Sequence, residues 1–277
     1  MKLPLFVLPF DHRSGFAKEL FNTTFPLKGA DKKAATELKK IIYEAFLFAK
    51  GSDIAKDANW CVLVDEELGL PILKDAHKRK IPIIVSTEAS GTDAFTFLHG
   101  TKFGPALKKL HADFAKALVR YEVGNEKVNK RQRAKLKKLS DYCIDQNLPF
   151  MLEILVCGKG DKTKQICQAI EEFHAAGVWP TVWKLEGLAR SSGWKKVQEI
   201  AQVPLIILGR GESNATVKGW IKLAAESGHV HGFAVGRTVF LEPLKKFQNK
   251  KADRKATVAA IAKNFLEYVK LWERATK

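Results

Sequence analysis

Phe150–Gly187, FMLEILVCGKGDKTKQICQAIEEFHAAGVWPTVWKLEG, holds one complete unit of the fold. It opens on an apolar run, Phe150 to Val156, passes through a longer amphipathic segment, and returns to a second run, Thr181 to Glu186. Asp161 is placed to cap the start of the intervening helix and Gly177 to stop it. Runs dense in Val, Ile, Leu and Phe are strands covered on both faces, and a helix between two of them makes them parallel.

The same alternation extends in both directions. Strands are predicted at Leu5 to Phe10, Trp60 to Val64, Ile81 to Ser86 and Phe114 to Tyr121, and again at Pro204 to Leu208 and His231 to Gly236. With the two runs already quoted, that makes eight. Three of them open on an X-Pro step, Ile81-Pro82, Leu148-Pro149 and Val203-Pro204, where proline suits the first strand residue. Between strands, Asp31 to Lys50 carries Leu38, Ile41, Ile42, Ala45 and Phe46 at helical spacing, with Asp31 as expected cap and Gly51 as stop. Arg254 to Lys277 reads as a closing helix whose apolar face is Val258, Ile261, Phe265, Tyr268 and Leu271. That face fits the core or a second copy of the chain, a homo-oligomer, equally well.

Eight βα pairs favour a closed barrel over an open doubly wound sheet, and no GxGxxG follows the first strand. The expectation is an α/β fold, a single (β/α)8 TIM barrel occupying 1–277, a length such barrels commonly reach.

The run MKLPLFVLPFDHR has Pro4, Pro9, Asp11 and Arg13 where an export signal needs an unbroken apolar core, and no stretch approaches the roughly 20 apolar residues of a membrane span. A cytoplasmic protein with no membrane partner is expected. Cys61, Cys143, Cys157 and Cys167 form no CxxC pair and read as reduced. The net charge is +17. Two basic runs, Lys127 to Lys138 and Lys245 to Lys255, lack interleaved aromatics and read as solvated helix faces, so nucleic acid is not the expected partner. A positive field also favours a small anionic substrate.

In a barrel, catalysis belongs at the carboxy-terminal strand ends. Those ends carry Asp11, His12 and Arg13 on the first strand, Asp65 and Glu66 on the second, and Glu88 beyond the third. Lys116 and Arg120 lie on the fourth, Glu153 on the fifth, Lys184 and Glu186 on the sixth. Charges within apolar strands are costly unless paired or functional, so the set is either an ion-pair network or a reactive site. Alternation turns Lys184 and Glu186 to the face opposite Trp183 and Leu185, hence inward. Burial, and Lys116 as a neighbouring cation, would favour a neutral nucleophilic amine at Lys184, as imine formation requires. For the proton on the departing fragment, Glu153 is the first candidate base, with Asp11 and Glu186 behind it. Gly209-Arg210-Gly211 and Gly236-Arg237 follow the last two strands, where barrels often bind phosphate, although each turn alone is also an ordinary turn.

These residues resemble the class I aldolases related to tagatose-1,6-bisphosphate aldolase and sulfofructose-phosphate aldolase. The resemblance runs along nearly the whole barrel and is carried by FDHR at Asp11, VDEELG ending at Gly69, ADFAKALVRY around Lys116, LEILV at Glu153, VWKLEG at Lys184 and AVGRTVF at Gly236. It implies that Lys184 is the Schiff-base lysine, that Lys116, Glu153 and Asp11 lie in the active site, and that no cofactor or metal takes part. A narrower resemblance, to the carboxy-terminal aldolase-like domain of some inositol-catabolism sugar kinases, rests on the shared FDHR. It implies a phosphorylated keto-sugar acid, 2-deoxy-5-keto-gluconate 6-phosphate, as substrate. His12 departs from the amide residue of the tagatose enzymes, and Arg210 stands where a small residue is expected.

Other readings make different demands. A zinc aldolase needs several histidines at strand ends, whereas His229 and His231 precede the eighth strand, His77, His111 and His174 fall on helices or connections, and only His12 and His99 could reach the site. A barrel that binds a sugar phosphate without cleaving it would not depend on Lys184 for turnover.

Overall fold

The computed structural model describes residues 3–277; Met1 and Lys2, the first two residues of the amino-terminal run, lie outside them. The chain runs β1 (Leu5–Pro9), α1 (Ser14–Phe21), α2 (Gly29–Lys50), β2 (Asn59–Val64), α3 (Glu66–Lys78), β3 (Ile83–Ser86), α4 (Phe103–Lys109), β4 (Phe114–Glu122), α5 (Glu126–Asp145). It continues with β5 (Phe150–Cys157), α6 (Lys162–Ala175), β6 (Val182–Leu185), α7 (Ser192–Ala201), β7 (Leu205–Leu208), α8 (Asn214–Glu226), β8 (Gly232–Ala234), α9 (Arg237–Gln248), α10 (Arg254–Ala275). All eight strands pair in parallel in sequence order, and β8 closes on β1, so the expected (β/α)8 barrel is the fold.

Alternation along the strands sorts the side chains into two cores. Leu5, Val7, Cys61, Leu63, Ile84, Phe114, Met151, Val182, Ile206 and Ala234 point inward and fill the barrel. Their neighbours in sequence, among them Phe6, Val62, Leu152, Trp183 and Phe233, point outward and pack under the helices. The three prolines sit just before β3, β5 and β7, where their carbonyls still accept from Val62, Ala115 and Trp183 at 3.2, 2.9 and 3.0 Å. The β1–β8 seam needs glycine: a Cβ at Gly232 would lie 2.0 Å from the Leu5 carbonyl oxygen, and one at Gly236 2.1 Å from that of Pro9.

After β8 the chain first makes the short α9 and then α10, which packs between α8 and α2 as the last member of the outer ring. Ile261, Phe265, Tyr268 and Trp272 turn inward, so the apolar face of the closing helix belongs to the core; Val258 and Leu271 flank it, partly buried. Two local expectations change. The chain enters α2 through Gly29 at φ +51, so Lys28 is the cap and Asp31 falls in the first turn, where its charge suits the helix N-terminus. The run Lys245 to Lys255 is not one helical face: Lys250 at φ +56 ends α9, and Asp253 caps α10. Asp161 caps α6 by accepting from the Thr163 and Lys164 amides, as expected. Among the described residues no helix is long and apolar enough to cross a membrane.

Candidate functional site at the barrel mouth

The site is built on β6. Trp183 and Leu185 are committed to the outer core and Val182 to the inner one, which leaves Lys184 pointing inward just above the apolar filling, 4% exposed. The register pairs Lys184 with Glu153 on β5, and Lys184 Nζ donates to Glu153 Oε2 at 2.9 Å. The same oxygen lies 3.0 Å from Lys116 Nζ on β4. Lys116 in turn contacts Asp11 at 3.0 Å and Glu88 at 2.6 Å, so three carboxylates converge on one ammonium. The two lysines are therefore not bare neighbouring cations, as the sequence suggested; Glu153 stands between them.

Burial alone would lower the Lys116 pKa, but Asp11, Glu153 and Glu88 outweigh it and hold the ammonium well above the ordinary lysine range. Burial would raise the Asp11 carboxyl, yet Lys116, with His12 and Lys184, brings it well below the usual carboxylate range. Glu153 follows the same balance: burial pushes it up, and Lys116 and Lys184 draw it lower. Burial, opposed by Asp11 and reinforced by Arg237, Lys184 and Lys39, takes His12 down to about 3, so its imidazole is neutral at pH 7. The His12 Nδ1 atom is buried without a partner.

Two lobes of about 360 and 350 Å3 open above this layer and share Lys184, Glu153, His12 and Arg120 in their walls. The first is bounded by Asp11, Arg13, Glu88 and Lys116, with Ser14 and Ser90 joined through their hydroxyls at 2.7 Å. Arg13 is committed: its guanidinium donates to Glu67 at 2.8 Å and to the Glu88 carbonyl at 2.6 Å. One oxygen of Glu88, Oε2, is buried and unpartnered.

The second lobe is bounded by Gly209, Arg210, Gly211, Gly236 and Arg237. Helix α9 begins there, and Gly236 caps it with no side chain over its first amides. Gly211, at φ +84, is forced by its neighbour, since a Cβ would lie 2.5 Å from the Arg237 guanidinium carbon. Arg237 donates to Glu19 at 3.1 Å and to the Arg210 carbonyl. An uncapped helix start, glycine amides and two arginines form a surface suited to an oxyanion.

Of the strand-end candidates, Asp65, paired with Lys39, and Glu66, 2.6 Å from His99, line neither lobe, and nor does Glu186. It is fully buried just past the end of β6, and its oxygens are taken by Arg210, by Lys162 at 3.2 Å and by the Val156 amide at 3.1 Å. Two residues were given no role from the sequence, Arg120 although it was named on the fourth strand and Lys39, which was not named at all. Arg120 sits in the wall shared by the lobes, with its guanidinium in no hydrogen bond or ion pair among the described residues; its strand parity with Lys116 was the available signal. Lys39 of α2 is fully buried beneath the β1 loop, paired with Asp65 and donating to the His12 carbonyl at 3.1 Å. Nothing in the spacing distinguishes it from the exposed lysines around it. Among the described residues no group of three or more His, Cys, Asp and Glu is arranged to hold a metal ion.

A family model described as an uncharacterized protein conserved in bacteria (DUF2090) matches residues 2–276, and the chain belongs to that family. It is similar to tagatose 1,6-diphosphate aldolase 1 of Streptococcus mutans serotype c, 34% identical over 104 residues, or 34% of this chain and 30% of that protein. To the enzyme of the same name from Enterococcus faecalis it is 23% identical over 231 residues, 69% of this chain and 70% of that protein. The chain thus spans under a third of the first relative and little more than two thirds of the second. Fructose-bisphosphate aldolase from Plasmodium falciparum superimposes with a TM-score of 0.69 at 16% identity, covering 98% of this chain and 89% of that one. The YdjI aldolase from Escherichia coli K12 gives 0.54 at 14%, covering 86% and 87%. At such identities the structural likeness is one of fold.

Proposed function

We propose that this member of the DUF2090 family is a class I aldolase that cleaves a phosphorylated ketose or keto-sugar acid through an imine on Lys184. The observation that carries the reading is one nearly buried lysine opening into both lobes with a carboxylate 2.9 Å from its nitrogen. Glu153 takes the proton from Lys184, and the neutral amine adds to the ketone carbon. The carbinolamine then loses water, using the proton Glu153 returns, and leaves a protonated imine. Glu153 next accepts the proton of the hydroxyl two carbons from the imine carbon. The intervening carbon–carbon bond breaks, its electron pair enters the iminium to give an enamine, and an aldehyde departs. Protonation of the enamine and addition of one water release the second product and free Lys184. Lys116, itself held by Asp11, holds Glu153, both Asp11 and Lys116 face the substrate hydroxyls, and a phosphate occupies the lobe of Arg210, Arg237, Gly209, Gly211 and Gly236.

Sequence relatives that are tagatose-diphosphate aldolases support a sugar phosphate as substrate. The FDHR segment, in its resemblance to the inositol-kinase domain, supports 2-deoxy-5-keto-gluconate 6-phosphate, cleaved to dihydroxyacetone phosphate and malonate semialdehyde. Incubation with dihydroxyacetone phosphate, borohydride reduction and peptide mass mapping tests the chemistry, with Lys184→Met as control. An adduct confined to Lys184 is expected; bound ligand with no adduct would leave a sugar-phosphate-binding barrel without imine chemistry.

A further inference from the structure

Glu186 has the strand parity of Lys184 but none of its exposure to the cavity. Its carboxylate is saturated: one oxygen accepts from Arg210 and Lys162, the other from the Val156 amide. A carboxylate engaged on both oxygens and lining neither lobe is poorly placed to take a substrate proton, and well placed to fix what it holds. Arg210 occupies the left-handed region at φ +53, unusual for a residue with a side chain. Its side chain is 40% exposed and lines the second lobe, and among the described residues Glu186 is the one group that restrains its guanidinium. The Arg210 carbonyl accepts from Arg237, whose other amino group is held by Glu19.

We propose that Glu186 is a positioning residue for the anion lobe, holding Arg210, and through its backbone Arg237, in the binding arrangement before a ligand arrives. The inference rests on the second lobe binding phosphate and is independent of whether Lys184 forms an imine. A preset pair of arginines removes an ordering cost that would otherwise weaken binding.

The test measures affinity for inorganic phosphate and dihydroxyacetone phosphate by calorimetry in the wild type, Glu186→Gln, Arg210→Met and the double variant. The rate of borohydride-trapped adduct formation at saturating dihydroxyacetone phosphate is read in parallel. Glu186→Gln and Arg210→Met should each raise the Kd for both ligands about tenfold, the loss of roughly one charge-assisted contact. The double variant should be no weaker than Arg210→Met, because both changes break one link. In Glu186→Gln, whose altered side chain lines neither lobe, adduct formation at saturation should stay within about twofold of wild type. Slower trapping at saturation with unchanged Kd would make Glu186 a proton-transfer group and overturn the proposal, as would additive losses or a wild type that does not bind phosphate. Should Glu186→Gln not fold, Arg210→Met and Glu19→Gln probe the same chain from its exposed end with the same expected loss. Weaker phosphate binding in the variants, together with no adduct even in the wild type, would sustain this inference while removing the aldolase reading.

Discussion

Replacing Lys116 with Met keeps the alkyl volume and removes the one positive charge that, among the described residues, contacts all three of Asp11, Glu88 and Glu153. The three contacts in the folded protein measure 3.0, 2.6 and 3.0 Å. At an effective dielectric near 20, each is worth on the order of 5 kcal/mol before desolvation. Taking each ion out of water costs several kcal/mol in return, so the net loss on breaking such a buried cluster is about 3–5 kcal/mol at neutral pH. The pH dependence separates charge from packing. In the wild type Asp11 and Glu153 lie below their ordinary values, so they add stability above their unfolded pKa of about 4 and retain most of it at pH 5. In Lys116→Met, burial works on them against Lys184, and against His12 at Asp11, without the largest opposing charge; the carboxyls take up protons on mild acidification, and the penalty is relieved as pH falls. Urea unfolding of both proteins at pH 7.5 and pH 5 should show a difference about 1 kcal/mol or more smaller at pH 5, within the roughly 1.4 kcal/mol per pH unit that one proton allows. An equal loss at both pH values would mean that Lys116 matters through packing, and the account of a charge-balanced site would fail.

Two further outcomes follow from the same geometry. On the proposed aldolase chemistry, Glu153→Gln should lower single-turnover cleavage of a ketose phosphate by about 100-fold or more while dihydroxyacetone phosphate still binds, because proton transfer is lost and the arginines and glycine amides of the anion lobe are unchanged; rapid-quench kinetics beside calorimetry would read the two effects separately. Gly211→Ala should weaken phosphate binding several-fold or more, since its Cβ would meet the Arg237 guanidinium at 2.5 Å and the residue must also hold φ +84. Unchanged affinity in that variant would place the oxyanion elsewhere.

The barrel was legible because its strands are locally unambiguous: VWKLE and MLEILV are too apolar for a solvated face and too short for helices. The inward turn of Lys184 followed from period-two alternation alone. What alternation lacks is the register between strands, which the closure of the whole barrel sets. Hence the sequence placed Lys116 beside Lys184, whereas the pairing of Glu153 with Lys184 and the reach of Lys116 insert a carboxylate between them. Parity likewise turned Glu186 inward, and only the β7 loop, carrying Arg210 across, shows that the carboxylate is spoken for. Lys39 was unreadable for a different reason. Lys32, Lys39 and Lys50 share one flank of α2, at spacings close to whole helical turns, and only the docking of the helix decides that Lys39 is enclosed while the other two are exposed.

The apolar filling beneath Lys184 gives the site an insulating floor. Val182, Met151, Ile206 and Phe114 occupy the barrel below the charged layer, which meets solvent through the two lobes at the mouth. A ligand that fills both lobes closes that route. The protons then present among Lys184, Glu153, Lys116 and Asp11 form a fixed inventory for as long as the ligand stays. On the proposed imine chemistry, hydrogen taken from one carbon or oxygen of the bound molecule would be held where it can be handed back to the same molecule, so isotope exchange with solvent should lag behind the proton transfers themselves.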